Sequence, residues 1–153
     1  MKTLQNFFSL VKFSHTVFAL PFALAGYFMA ISLPDYHFEW RIFIPVLLCM
    51  IFARTAAMAF NRWLDRNIDA VNPRTKNRDI PAGKISPAAG LMITIISSLL
   101  FIAATWFINT LCFYLSPVAL FVILFYSYTK RFTWLSHFLL GFTDGLAPMG
   151  AWA

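Results

Sequence analysis

Asn61, Asp65 and Asp69 stand at i, i+4 and i+8 in the chain. On a helix that turns about 100° per residue, steps of four drift by only ~40°, so the three side chains form one oxygen-rich stripe. Two carboxylates and an amide are hard ligands. Mg²⁺ is commonly held by one or two carboxylates while phosphate oxygens and water complete its octahedron. The spacing therefore predicts a magnesium-diphosphate site with Asn61, Asp65 and Asp69 as metal ligands and the two aspartates as the catalytic pair. A calcium loop does not fit. Asp65-x-Asn67-x-Asp69 begins like an EF-hand, but Ala70 stands where Gly is needed and Lys76 where the closing Glu belongs.

The stripe is followed by Asn72-Pro73-Arg74-Thr75-Lys76-Asn77-Arg78-Asp79-Ile80-Pro81-Ala82-Gly83-Lys84. Its cations suit a loop that folds over a diphosphate. Taken alone they suit a membrane headgroup surface better. The aspartates decide between the two, because membrane orientation does not call for carboxylates four residues apart.

The elements that must carry this stripe are apolar helices. At 60% hydrophobic and 12% charged residues over 153 positions, the chain has too little polar surface for a water-soluble globule, and its apolar blocks approach the ~20 residues that cross a bilayer. The first span is expected over 13–33. A signal peptide is rejected there, because the apolar run extends from Val17 to Leu33 behind a long charged region. The second runs from Ile42 towards Phe60, and its helix should continue through Ala70, since the first clear stop is Pro73. No charge occurs between Ile85 and Thr129, which is too long for one crossing. A turn near Asn109-Thr110 gives spans over 87–108 and 111–128, and a fifth apolar run begins near Thr133. The expected fold is an all-α, polytopic transmembrane bundle of about five spans in one domain, 1–153. Cys49 and Cys112, in separate apolar blocks, have neither zinc-site spacing nor a disulfide framework.

Of the 12 Lys and Arg residues, this threading puts Lys2, Lys12, Arg62, Arg66, Arg74, Lys76, Arg78, Lys84, Lys130 and Arg131 on one side, with Arg41 opposite and Arg54 inside a span. The asymmetry predicts a cytoplasmic amino terminus and a cytoplasmic 61–86 loop in the inner (cytoplasmic) membrane. It also accounts for the net charge of +6 without a nucleic-acid partner. Two ionisable residues fall within apolar runs, where charge is costly unless it faces a cavity or a partner. Arg54, two turns deeper than Asn61, either reaches a diphosphate oxygen from below or pairs with a carboxylate of the bundle. Asp144 lies among Gly141, Gly145, Pro148 and Gly150, which favour a distorted, cavity-lining helix, and is expected to bind a polar group of the acceptor. His15 and His137 lie near span ends and are expected to be structural.

Asn61-Arg-Trp-Leu-Asp65-Arg-Asn-Ile-Asp69, followed by Arg74-Thr-Lys-Asn-Arg78-Asp-Ile-Pro-Ala-Gly83-Lys-Ile-Ser86, resembles the first Asp-rich motif of the UbiA-type aromatic prenyltransferases. Tyr126-Ser-Tyr-Thr-Lys130-Arg131-Phe-Thr, Leu140-Gly and Ala147-Pro148-Met-Gly150 resemble the family's next block, in the same order. The nearest group is that of the 4-hydroxybenzoate polyprenyltransferases, with relatives acting on a naphthoate precursor of menaquinone. The resemblance implies a nine-helix bundle in which two Asp-rich motifs hold a polyprenyl diphosphate through Mg²⁺, and transfer of the prenyl group to a hydroxylated aromatic acid. Asn61, Asp65 and Asp69 inherit the metal-diphosphate role, and Arg54, Arg74, Arg78 and Lys130 the diphosphate contacts. Only the first Asp-rich motif occurs here, so the chain is expected to be the amino-terminal part of such an enzyme, incomplete at its carboxyl end. Two rival classes compete. CDP-alcohol phosphotransferases need a DGxxAR signature, and the only Asp-Gly here is Asp144-Gly145. A transporter or assembly subunit would use Arg54 and Asp144 but leaves the acidic stripe unexplained.

Overall fold

Hydrocarbon offers no partner to backbone N–H and C=O groups, so long uncharged runs must satisfy their own backbone as helices. The computed structural model describes residues 13–34 and 36–129, together with the isolated positions 138, 141 and 145. They form α1 (Phe13–Ala30), α2 (Trp40–Val71), α3 (Pro87–Trp106) and α4 (Thr110–Thr129). Among the described residues there is no strand. α2, α3 and α4 are long and apolar enough to cross a membrane. These three coincide with the expected second, third and fourth spans, α1 coincides in sequence with the expected first, and the expected fifth lies outside the described residues.

The length of α2 determines where the stripe sits. Its 32 residues measure ~48 Å at 1.5 Å per residue, whereas ~30 Å suffices for the hydrocarbon core. The apolar part ends at Phe60, so the last three turns overhang the bilayer with Asn61, Asp65 and Asp69 on them. α2 packs on α1, α3 and α4, most extensively on α3. The buried face of α3 is Gly90, Thr94, Ser97, Phe101, Ala104 and Thr105, largely small residues at three- and four-residue steps that let helix backbones approach. Its two threonine hydroxyls are satisfied within the helix: Thr94 Oγ1 donates to the Gly90 carbonyl at 3.0 Å and Thr105 Oγ1 to that of Ile102 at 2.7 Å. Large apolar side chains such as Met92, Leu99, Val118 and Phe121 are left exposed on the outer surfaces, as lipid-facing positions require.

Local chemistry sets the helix ends. Asn109 caps α4, its Oδ1 accepting from the Cys112 N–H at 2.7 Å. The α3–α4 turn is thus centred on 107–109, slightly earlier than expected. Ser86 caps α3 by accepting from Ala89 N–H at 3.1 Å, with Pro87 as the first helical residue. At the start of α2, Glu39 makes no side-chain cap. There the buried Tyr27 of α1 donates its hydroxyl to the Glu39 carbonyl and accepts from the Glu39 N–H, both at 3.2 Å. Tyr27 is also ringed by Phe28, Phe38 and Phe43. Tyr27→Phe keeps the ring packing and loses both hydrogen bonds, so it should destabilise the bundle by about 1 kcal/mol without changing turnover. Cys112 is buried, so a thiol-reactive fluorophore followed during heating in detergent reports this as a lowered unfolding midpoint.

Candidate diphosphate site

The buried residues of α2 run Ala56, Ala59, Arg62, Asp65 and Asp69, a ridge with steps of three and four that turns from apolar to ionic where the helix leaves the hydrocarbon. Asp65 and Asp69 are 8% and 5% exposed, and Arg62 is 6% exposed. Asn61 lies half-buried at the edge of this ridge. Asp65 and Asp69 of the i, i+4, i+8 stripe are buried, and the buried ionic set is i, i+3, i+7 from Arg62. Buried charges of this kind are costly unless they offset one another or meet a ligand.

Asn61 donates through Nδ2 to Ser127 Oγ on α4 at 3.4 Å. Ser127 is only 2% exposed, so the end of α4 sets the amide's orientation and leaves Oδ1 for another partner. The chain leaves α2 through a turn organised by Asn72, whose carbonyl accepts from Thr75 N–H and Lys76 N–H and whose Oδ1 accepts from Arg74 N–H. Thr75 Oγ1 then donates to the Asp69 carbonyl at 3.1 Å. This brings the loop back over the stripe. Arg78 Nη1 donates to Asp69 Oδ1 at 2.7 Å and to Oδ2 at 2.8 Å, a short, charge-assisted contact. The buried Asp79 and Arg78 both lie within electrostatic range of Arg62, as do Asp65 and Asp69. Arg62 Nε is buried and has no hydrogen-bond partner.

Of the expected site residues, Arg78 is in contact with Asp69, Asp65 is buried on the same helix, and Asn61 is held by Ser127. Arg74 does not join them: it is exposed at the loop's outer turn. Arg54 is half-buried in the membrane-spanning part of α2. Lys130 and Asp144 lie outside the described residues. Arg66 points elsewhere, its Nη1 donating to the Trp63 carbonyl at 2.8 Å and its guanidinium 4.9 Å from the Trp63 ring. Arg62, Ser127 and Asp79 are additions from the structure. Arg62 stands at i, i+3, i+7 with Asp65 and Asp69, a helix-face spacing.

Among the described residues, no group of three or more His, Cys, Asp or Glu side chains is arranged to hold a metal ion. Two carboxylates and an amide oxygen match instead a hard cation that arrives with part of its coordination shell supplied by phosphate. The unpartnered Arg62 Nε is a second feature that an anionic ligand would satisfy. An open cleft of about 410 Å³, lined by Glu39, Arg41, Ile42, Trp106, Phe107 and Ile108, lies at the other end of the bundle and shares no residue with the stripe.

The model of the UbiA prenyltransferase family matches residues 19–153. The 4-hydroxybenzoate octaprenyltransferase of Herminiimonas arsenicoxydans is 32% identical over 155 residues, which cover 98% of this chain and 53% of that protein. The protoheme IX farnesyltransferase of Bdellovibrio bacteriovorus is 37% identical over 92 residues, covering 60% of this chain and 31% of that one. Among solved structures, a UbiA homolog from Aeropyrum pernix K1 superposes with a TM-score of 0.82 at 32% identity, over 90% of this chain and 49% of the other. A digeranylgeranylglyceryl phosphate synthase superposes with a TM-score of 0.87 at 18% identity, a likeness of fold. The chain spans about half the length of the 4-hydroxybenzoate octaprenyltransferases it matches. With the family model covering most of the sequence and the same helical architecture in its structural neighbours, this chain belongs to the UbiA prenyltransferase family.

Proposed function

We propose that the protein transfers a polyprenyl chain from its diphosphate to a hydroxylated aromatic acid of the 4-hydroxybenzoate type, as a step in quinone synthesis, and that residues 61–78 bind the diphosphate. The observation that carries this reading is the pair of buried carboxylates, Asp65 and Asp69, on the overhang of a membrane-spanning helix with Arg78 folded onto them. The choice of acceptor follows coverage: the hydroxybenzoate relatives align with nearly the whole chain, and the protoheme relative with 60% of it. By the asymmetry of its basic residues the site faces the cytoplasm.

Asn61 Oδ1, Asp65 and Asp69 would hold Mg²⁺. The ion's contribution when bound is to neutralise charge developing on the leaving diphosphate. Around it the chain's own groups do the rest. Arg62 and Arg78 present cationic donors to non-bridging phosphate oxygens, so loss of the allylic C–O bond is assisted by charges already in place. Ser127 keeps the Asn61 amide from rotating. The prenyl tail, which is as apolar as lipid, lies alongside the hydrophobic part of the bundle, where exclusion of water protects the allylic cation until the electron-rich ring attacks it and then loses the proton of the attacked carbon.

The test is prenyl transfer in membranes carrying the full coding sequence, with 4-hydroxybenzoate, a dihydroxynaphthoate and protoheme offered in parallel against octaprenyl and farnesyl diphosphate. The expected outcome is transfer to 4-hydroxybenzoate that EDTA abolishes and added Mg²⁺ restores. Transfer only to the naphthoate or to protoheme sinks the acceptor assignment. Activity that survives chelation sinks the metal-diphosphate site.

A further inference from the structure

We propose that Ile80 and Gly90 are positioning residues: the Ile80 side chain, seated over the bare backbone of Gly90, locks the basic loop so that Arg78 rests on the acidic stripe. The consequence for catalysis rests on the diphosphate reading above. The anchor itself does not.

The loop from 72 to 86 is rich in polar and charged residues and has no helix or strand of its own. Such a segment would ordinarily sample many conformations. Ile80 and Ile85 are its two large apolar residues, and of these Ile80 is the buried one. It is 6% exposed and forms a small core with Ala59 of α2, against which Trp63, Ile85 and Ile93 pack. The loop is therefore clamped between α2 and α3 by one apolar side chain in its middle.

Gly90 makes room for that clamp. A Cβ at position 90 would come within 2.9 Å of Ile80 Cδ1, whereas the next atom, Trp63 Cβ, would be at an ordinary 3.8 Å. The crowding that a side chain at 90 would meet thus comes from the end of the loop's isoleucine and not from α2. Gly is disfavoured within a helix, which makes its use here informative.

Hydrogen bonds carry the anchor to Arg78. The Arg78 carbonyl accepts from Ala82 N–H at 2.8 Å and the Ile80 carbonyl from Gly83 N–H at 3.0 Å. Gly83 takes φ +72°, the left-handed conformation that favours Gly. The Asp79 carbonyl then accepts from both Lys84 and Ile85 N–H. Residues 78–85 form one bonded turn, so seating Ile80 fixes the direction in which Arg78, two residues earlier, leaves the backbone. Its contact with both Asp69 oxygens follows.

The experiment has two arms, each on the full-length protein in detergent. In the first, limited trypsinolysis reads loop order at Arg74, Lys76, Arg78 and Lys84, with no substrate present. Ile80→Ala, which empties the seat, and Gly90→Val, which fills it, should each speed cleavage about tenfold. Gly90→Ala alone should do less, because Ile80 Cδ1 is a terminal atom able to turn away. Adding Ile80→Val, which removes that atom, should return cleavage to near the wild-type rate. Wild-type resistance in Ile80→Ala overturns the anchor. So does a double variant Ile80→Val/Gly90→Ala that is cleaved faster than Gly90→Ala; this comparison holds even if Ile80→Ala fails to fold. In the second arm, Ile80→Ala should raise KM for the prenyl diphosphate about tenfold and leave KM for the aromatic acceptor unchanged, a split that general destabilisation does not produce. A loosened loop with an unchanged donor KM overturns the positioning role. Loosened loops beside a wild type that transfers no prenyl group overturn the transferase reading and leave the anchor standing.

Discussion

Asp69→Asn and Asp65→Asn are each expected to lower kcat/KM for the prenyl diphosphate by about 10²–10³-fold, the scale seen when one preorganised electrostatic partner of a developing charge is removed. Asn is isosteric with Asp and keeps a carbonyl oxygen, so the substitution removes charge with little change of shape. The two variants should differ in a second property. Arg78 is held by Asp69, with both carboxylate oxygens accepting from Nη1, so Asp69→Asn weakens the loop's ionic contact as well as the proposed metal ligand set. Trypsin should then find the loop more readily in Asp69→Asn than in Asp65→Asn. Transfer assays at several Mg²⁺ concentrations distinguish a weakened ligand from a misfolded protein, because the rate lost to a weakened ligand is partly recovered by excess metal. Wild-type transfer by either variant contradicts the diphosphate role.

How far the sequence carried this site can be judged residue by residue. The helices were legible because hydropathy dominates everything else in a chain this apolar. The overhang of α2 was legible because no Gly or Pro interrupts the stretch from Asn61 to Ala70 and Pro73 ends it. Asp65, Asp69 and Arg78 were legible from spacing, charge and the family motif. Arg62 was hidden by its neighbours: in a positive-inside segment a single arginine looks like an orientation signal, and only its burial beside three carboxylates separates it from Arg66 and Arg74. Ser127 lies on another helix, and which α4 residue would meet Asn61 depends on the packing of the two helices. Ile80 was the least visible, since an isolated isoleucine in a cationic loop carries no periodicity. Its partner Gly90 stands about ten residues on, inside α3, and only their meeting in space shows what each is for.

Arg78 supplies the second large effect, and its two consequences run in opposite directions. In the absence of substrate its guanidinium neutralises Asp69, which is nearly buried while Arg78 itself remains about one-third exposed. The contact engages one of the three guanidinium nitrogens, so the remaining donors are available to an arriving phosphate. A cation on both oxygens of Asp69 also competes with any metal ion that uses the same carboxylate. Arg78→Gln, which removes the charge and keeps much of the length, should therefore raise KM for the prenyl diphosphate by about 10–100-fold, the equivalent of one charge-assisted hydrogen bond. At saturating donor the same variant should reach half-maximal rate at a lower Mg²⁺ concentration, because its competitor for Asp69 is gone. Arg78→Lys keeps the charge as a compact ammonium in place of a planar fork, so it should retain the wild-type Mg²⁺ requirement with an intermediate donor KM. Initial rates over a grid of donor and Mg²⁺ concentrations measure both parameters at once. If the donor KM and the Mg²⁺ requirement of Arg78→Gln move in the same direction, Arg78 does not pass between carboxylate and phosphate. Its contact with Asp69 then serves only to hold the loop.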